Sequence, residues 1–518
     1  MKRVWLKRIL RWGSRALLVF VVLFVLFIAE ENIRGRIALA RYRAELRAKG
    51  EKLTLAEFDL PRPSSATSAA GALLEAADEL VTFTNAVSYP PLELFMMQRI
   101  APGRVMVLHQ QEWPGNPRQP SLSWEKLSRD IAAVSNALDK ARSAARQPTS
   151  AVALDYSIDL RGQLSHLGTM YRVSRWFGAA AISALHDGDL EVAMENVIAI
   201  TDLTQMLKDQ RVVGVQRTRL EIAAYGLKVT WQALHADSWT EPQLARLQES
   251  WQEVECLPDV VPSVEADRVT SAEYFNRDSL KDLLDGMKFM EYYTAELQQG
   301  WRYRLDTWQL TARWLIWHAA WFQQNELWTL HRWQETLDDA RAVVDRKSWT
   351  AHSLKRERPW TIYDRWRYLV SYQIDTGGGE MGRAVRYETL REMAITAIAL
   401  KRFQLRNGKF PTELSALIPE FLPDLPHDWM DGKPLRYRVN ADGTFTLYSV
   451  GENGVDDGGR PDPSPVSWYL DFWGDGDEVW PAPATNEDLE ELRRQWPRRS
   501  EQAQGSGRGR RLTEPKSH

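Results

Sequence analysis

An uninterrupted apolar run, Ala16 to Ala29 (ALLVFVVLFVLFIA), stands near the start of the chain. The run is short for a membrane-spanning helix, which needs ~20 residues, but Trp12, Gly13 and Ile33 extend it and the flanking Arg and Lys side chains can snorkel. The charged, helix-prone stretch from Glu31 to Lys52 predicts that this helix continues outward as a polar one. Further on, Leu127, Ile131, Val134 and Leu138 recur at the spacing of one helical face. Two more helices are predicted on either side of His186 to Asp189, with Trp176, Phe177, Ala180 and Leu185 before the turn and Leu190, Ala193 and Ile198 after it. Thr240-Glu241-Pro242-Gln243 has the capping-box spacing with Pro in the first turn, and it predicts a helix start. No proline occurs between Ser263 and Arg358, where long helices are expected, interrupted only near Gly286 and Gly300.

The pattern changes after Glu388. Leu390, Met393, Ala397, Leu400 and Phe403 give one helix an inward face, while Ile395 and Ile398 lie off it. Asn407-Gly408 and Pro411 end that helix, and Leu414, Leu417, Ile418 and Leu422 fit a short second one. Leu435 to Val439 and Thr444 to Ser449 alternate with period two about Asn440 to Gly443, the pattern of a β-hairpin. From Ala69 to Pro120 a short apolar helix is expected at Ala70 to Val81, after which Pro90-Pro91, Pro102-Gly103 and Pro114-Gly115 predict an irregular linker or wrapping segment. The expected fold is therefore mainly α, with an N-terminal transmembrane helix, a large irregular helical region and a small C-terminal α+β module. Its expected segments are an anchor (1–35), a membrane-proximal helix and linker (36–120), a helical domain (121–358), a connector (359–385), the α+β module (386–483) and a charged, mostly disordered tail (484–518).

Charge fixes the direction of the anchor. Lys2, Arg3, Lys7, Arg8, Arg11 and Arg15 precede the apolar run with no acid among them, so the positive-inside rule puts the N-terminus in the cytoplasm. A cleaved signal peptide is the competing reading, but Phe27, Glu30 and Glu31 stand where its cleavage site would want small residues, so an uncleaved inner-membrane anchor is expected. The formal net charge is −3 and the first fifteen residues carry +6, which leaves −3 − 6 = −9 on the rest. An acidic exterior of this kind excludes nucleic acid as a partner. A single cysteine, Cys256, excludes an intrachain disulfide, and the 23 Trp are expected mainly in cores.

Candidate chemistry is sparse. Gly377 to Gly382 matches G-x-G-x-x-G, but no βαβ context surrounds it, and a flexible linker explains the letters. No metalloprotease or nucleophile-elbow motif occurs. His318 and His331 lie in the Trp-rich stretch that holds Trp308, Trp314, Trp317, Trp321, Trp328 and Trp333, and both read as packed histidines. Glu265 with Arg268, and Asp338 and Asp339 near Arg341, read as solvated helix faces.

Asn407, Gly408, Phe410, Pro411, Leu414, Leu417, Pro426, Asp428, Gly432, Leu435, Tyr437, Tyr448, Ser449, Gly451, Gly454, Asp456, Asp457, Gly458 and Gly459 follow an order that resembles the globular domain of the major pseudopilins of type II secretion. The order, with a Gly-Asp-x-x-Val-Trp-like element at Gly474 to Trp480, also looks like the C-terminal end of N-terminally anchored bacterial envelope proteins of no known activity. In the pseudopilins the acidic loop holds calcium. The resemblance therefore implies Asn453, Asp456 and Asp457, with Asp471, Asp475 and Asp477, as candidate calcium ligands. Hard oxygen donors on Gly-permitted turns suit that ion, although Asp-Gly is also ordinary turn chemistry. The prepilin leader motif is absent, and hundreds of residues separate anchor from module, so assembly into a pseudopilus is not expected. The expected function is membrane-anchored, extracytoplasmic binding or scaffolding with an envelope protein partner. The alternative is an envelope hydrolase with its site in the helical domain near the Trp-rich stretch.

Overall fold

The computed structural model of the protein describes residues 2–58, 60, 69–83, 97, 99–112, 123–147, 154, 164, 166–277, 301–351, 361–368, 378–460, 476–491 and 494. These are mostly helical. In chain order the helices are α1 (Lys2–Ala48), α2 (Ala69–Phe83), α3 (Trp124–Ala133), α4 (Ser135–Ala145), α5 (His166–Asp187), α6 (Leu190–Gln205), α7 (Val213–Leu234), α8 (Glu241–Gln252), α9 (Leu257–Arg277), α10 (Trp301–Arg346), α11 (Ile362–Arg367) and α12 (Gly378–Asn407). The strands are short: β1 (Arg99–Ala101), β2 (Arg104–Val105), β3 (His427–Asp428), β4 (Lys433–Pro434), β5 (Arg436–Val439), β6 (Phe445–Ser449), β7 (Glu478–Val479) and β8 (Ala482–Pro483).

Helix α1 does what the sequence pattern predicts: it runs unbroken from the apolar stretch into the charged one. Among the described residues it is the one helix long and apolar enough to cross a membrane, and its apolar residues from Leu17 to Phe27 are exposed. Past Glu30, Leu39 and Leu46 are buried at heptad spacing, giving the polar half a narrow packing stripe. That stripe meets α10. The Asn32 amide donates to Ala319 O at 2.8 Å, Gln324 donates to Glu31 O at 2.7 Å, and Tyr42 stacks on His331 at 3.7 Å. Residue numbers rise together along these contacts, so the two helices run parallel. Gly35 permits the approach, because a Cβ there would fall 2.8 Å from the Gln324 side chain. Helix α9 packs antiparallel on α10, with Ala272 beside Leu330 and Leu39, and Arg268 on Gln334.

The main body is a bundle of α5, α6, α7, α8 and α12. Thr240 and Gln243 form the expected capping box at the start of α8. Trp251 of α8 is fully buried, donating to Thr230 Oγ1 at 2.9 Å, and lies so close to α7 that a Cβ on Gly226 would be 2.9 Å from its ring. Burial of such a ring removes roughly 150–250 Å² from water, which makes it a dominant packing term.

Several expectations are revised by the structure. The connector expected at 359–385 contains the first turns of α12, which begins at Gly378. Met381, Ala384 and Val385 are buried in the bundle, and that burial overrides the poor helix propensity of the glycines. Within the segment expected as an irregular wrap, the short apolar helix expected at Ala70 to Val81 forms as α2, with Leu73, Ala76, Ala77 and Leu80 buried, and the β1–β2 pair adds order that was not expected. The α+β module is no separate head: one hydrophobic core runs from Leu73 to Leu489, and β8 pairs in parallel with β2 across the chain. The expected short helix after Pro411 is a 3-10 turn, Leu414–Leu417. Part of the expected tail is docked, with Leu489 buried and Asp488 paired to Arg104 at 2.9 Å.

Candidate functional site

The predicted hairpin forms, with Arg436 opposite Tyr448 and Val439 opposite Phe445, and β7 adds a third strand beside β6. At its base sits Asp428. It is fully buried, its carboxylate accepting from Met430 N (3.0 Å), Ser449 Oγ (2.7 Å), Val450 N (3.1 Å) and Arg436 Nη1 (2.6 Å). Burial pushes this carboxyl above its ordinary range, against the pull of its donors. Arg436 also reaches Asp431, whose carboxyl stays below the usual range because this guanidinium outweighs its burial. One buried carboxylate therefore ties the loop at 428–431 to the end of the hairpin.

The acidic loop follows directly. Asn453 Oδ1 accepts from Val455 N at 2.8 Å, and Asp456 Oδ1 accepts from Gly458 N at 2.9 Å and from the Tyr448 hydroxyl at 3.1 Å. Asp477 is buried, and its two oxygens accept Asp457 N (3.2 Å) and Gly459 N (2.6 Å). Gly451, at φ +66°, passes with no room for a side chain, since a Cβ would fall 2.2 Å from Gly476 O. The structure thus brings Asp456, Asp457 and Asp477 into one loop, where burial and then the two neighbouring acids raise the Asp477 carboxyl. Asp477 acts there as a clamp on backbone amides. Asp471 and Asp475 lie outside the described residues. Among the described residues no three His, Cys, Asp or Glu side chains gather as a metal-holding group.

A second group was not legible in the sequence. The 3-10 turn Leu108–Gln110 lies across the ends of α5 and α7. Gln232 fixes it, accepting from Leu108 N at 2.8 Å and donating to Met106 O at 3.0 Å. His186 bonds through Nδ1 to His109 O at 2.9 Å and stacks on Trp124. Gln110 donates to His235 O at 2.7 Å, and Lys401 donates to Leu234 O and Ala236 O at the end of α7. His109 is buried, and among the described residues neither of its ring nitrogens nor Nε2 of His235 has a hydrogen-bond partner. Burial, reinforced by His186 at His109 and by Lys401 at His235, lowers the two imidazoles to about 4 and about 3. Asp237 is the acid that opposes this at His109.

These shifts have a measurable consequence. The unfolded chain takes up protons on both histidines below about pH 6.5, whereas the folded chain refuses them until about pH 4 and 3. Their contribution is therefore intact above pH 6.5 and is lost as the pH falls, by about 2 kcal/mol per histidine at pH 5. Asp267 and Asp202, raised by burial to about 7 and about 6, act in the opposite sense over the same range. The difference between wild type and H109F/H235F isolates the histidines: the variant is expected to lose less stability between pH 7.5 and pH 5, read from unfolding midpoints.

Charged residues read as solvated faces form a third group, and here the structure corrects the reading. Arg268 is fully buried and donates to Glu51 Oε2 (2.9 Å), Lys52 O (2.6 Å) and Gln334. Arg341 holds the other side of Glu51 and reaches Glu265 at 3.4 Å. This network joins the end of α1 to α9 and α10. The Trp-rich stretch is mostly packed, with Trp317, Trp321 and Trp333 buried, while the side chains of Trp308 and Trp314 lie outside the described residues. Comparison with protein-family models, with curated proteins and with solved structures finds no match to this chain.

Proposed function

We propose that this chain is a single-pass inner-membrane protein with its N-terminus in the cytoplasm, whose extracytoplasmic body binds or scaffolds another envelope protein. The observation that carries this reading is the continuity of α1. One helix passes from an exposed apolar run into a buried ionic network on α9 and α10, so a partner held by the body is held at a set distance from the membrane. The pseudopilin-like module supplies the presenting surface, an acidic loop whose tip, Val455, is exposed between Asn453 and Asp456. Its core is shared with the helical bundle, so deleting the module would unfold the protein rather than test binding. The suitable test is a photo-crosslinking residue at Val455 in intact cells. A discrete adduct, absent when the probe is at exposed Glu413, is the expected result; the same adducts from both positions would remove the reading. The hydrolase alternative stands second, supported by the buried imidazoles of His109 and His235.

A further inference from the structure

The turn across the ends of α5 and α7 is held by amide and carbonyl groups, and among the described residues no carboxylate accepts a bond from it. Leu108 N donates to Gln232 Oε1 at 2.8 Å, Gln232 Nε2 to Met106 O at 3.0 Å and Gln110 Nε2 to His235 O at 2.7 Å, while His186 Nδ1 meets His109 O at 2.9 Å. Met106, Val107 and Leu108 are buried here, and so is His109. Neither ring nitrogen of His109 has a partner among the described residues, so the N–H that a neutral imidazole carries is already enclosed without an acceptor. A second proton would add a charge to the same closed site. The groups that face the ring are His186 from α5, His235 at the end of α7, Asp237 from the loop that follows, and Lys401 from α12. Three are bases and one is an acid. His235 in turn faces His109 and Lys401, with its ring 4.3 Å from that of Trp231.

We propose that this turn is an acid-released latch: a proton on His109 lifts residues 106–110 off the end of the bundle, while the chain on either side stays in place. Both fixed points are defined by hydrogen bonds. Ahead of the turn, Ala484 N donates to Val105 O at 2.9 Å and secures β2 beside β8; behind it, the Trp124 indole donates to Gln111 O at 3.0 Å and stacks on His186 at 4.2 Å. Lifting takes the His109 ring away from its basic neighbours and into water, and it uncovers Leu108. Burial of Leu108 keeps the latch shut at neutral pH. His109 stays neutral down to about pH 4 when enclosed and takes its proton near pH 6.5 when free. The latch is therefore at full strength above pH 6.5 and weakens as the pH falls, opening about 30-fold more readily at pH 5 than at pH 7.5. Asp202 and Asp267 stay buried while only the turn moves, so their opposing effect on global unfolding does not reach the latch. An extracytoplasmic body meets external acid, so the use of the latch rests on the topology proposed above, whereas the latch itself does not.

Hydrogen exchange of the full-length protein in detergent micelles tests this, resolved to the Leu108 amide and corrected for the intrinsic effect of pH. Leu108 is the probe because its acceptor, Gln232, lies on α7 and is left behind when the turn lifts. The expected result is a loss of Leu108 protection of about 30-fold between pH 7.5 and pH 5, to a level below that of the α7 amides. In H109F, which keeps an aromatic ring in the site but takes no proton, the loss should disappear. H109Q, with a smaller side chain that does not titrate, should behave alike where the phenyl ring crowds the site. If Leu108 is as protected as α7 at pH 5, the turn opens only when the whole protein unfolds, and the latch is overturned. Protection that does not change with pH, or a loss of the same size in both variants, would overturn it too. A latch that fails in this way leaves the anchor and the Val455 crosslink untouched, so the two readings are tested apart.

Discussion

Replacing Asp428 with alanine is expected to destabilise the C-terminal module by about 3–5 kcal/mol, the usual cost of removing one partner from a buried ionic pair. The reason lies in what remains. Arg436 keeps Asp431, but Val450 N, Met430 N and the Ser449 hydroxyl lose their acceptor in a site closed to water. Each stranded donor then carries its own desolvation cost. Asn at this position retains one carbonyl oxygen but presents an amide N–H₂ toward Arg436, a donor facing a donor, so D428N should recover only part of the loss. Hydrogen exchange gives the sharper readout: amides of β5 and β6 should lose protection in D428A before those of α5 to α7. Equal protection in wild type and D428A would show that the hairpin does not depend on this carboxylate.

The second large effect is expected at Arg268. R268A removes the guanidinium that holds Glu51 and Lys52 O at the point where α1 meets α9 and α10. The Glu51 carboxylate, kept below its ordinary range by Arg341 and Arg268 despite its burial, is left to Arg341 and to Gln334, which donates to it at 3.1 Å. A loss of about 3–5 kcal/mol is expected for opening a buried pair of this kind. Lysine should not rescue it, since a point ammonium cannot make the divergent bonds of a planar fork. A double-mutant cycle between R268A and E51Q should show a coupling of up to about 3 kcal/mol. Together with this, hydrogen exchange should rise at the end of α1 near Leu46, while the contacts of Asn32, Glu31 and Tyr42 still hold its middle to α10. Additive single effects would mean that the two residues stabilise the protein independently.

Both effects fall on residues whose roles the sequence conveys unequally. Asp428 lies in a loop whose order of Pro, Asp and Gly already marks it, although not as a buried acceptor of four bonds. Arg268 sits on a helix at a spacing that fits a solvated face, and nothing local distinguishes it from an exposed arginine. Its partner Glu51 is 217 positions away. The same distance hides His109, which is buried only because α5 and α7 end beneath it.

By itself the sequence determined what local order can determine: the apolar run and polar continuation of α1, the capping box at Thr240, the helix exit at Asn407-Gly408 and the two strands of the hairpin. Periodicity, capping and turn chemistry act over a few residues and are written in consecutive letters. The tertiary structure alone decided that α12 begins at Gly378, that the α+β module shares one core with the helical bundle, and that Arg268, His109 and Asp477 are buried. Burial of a polar side chain is set by which distant elements close over it and whether they offer partners, and that information is in no single stretch of the chain.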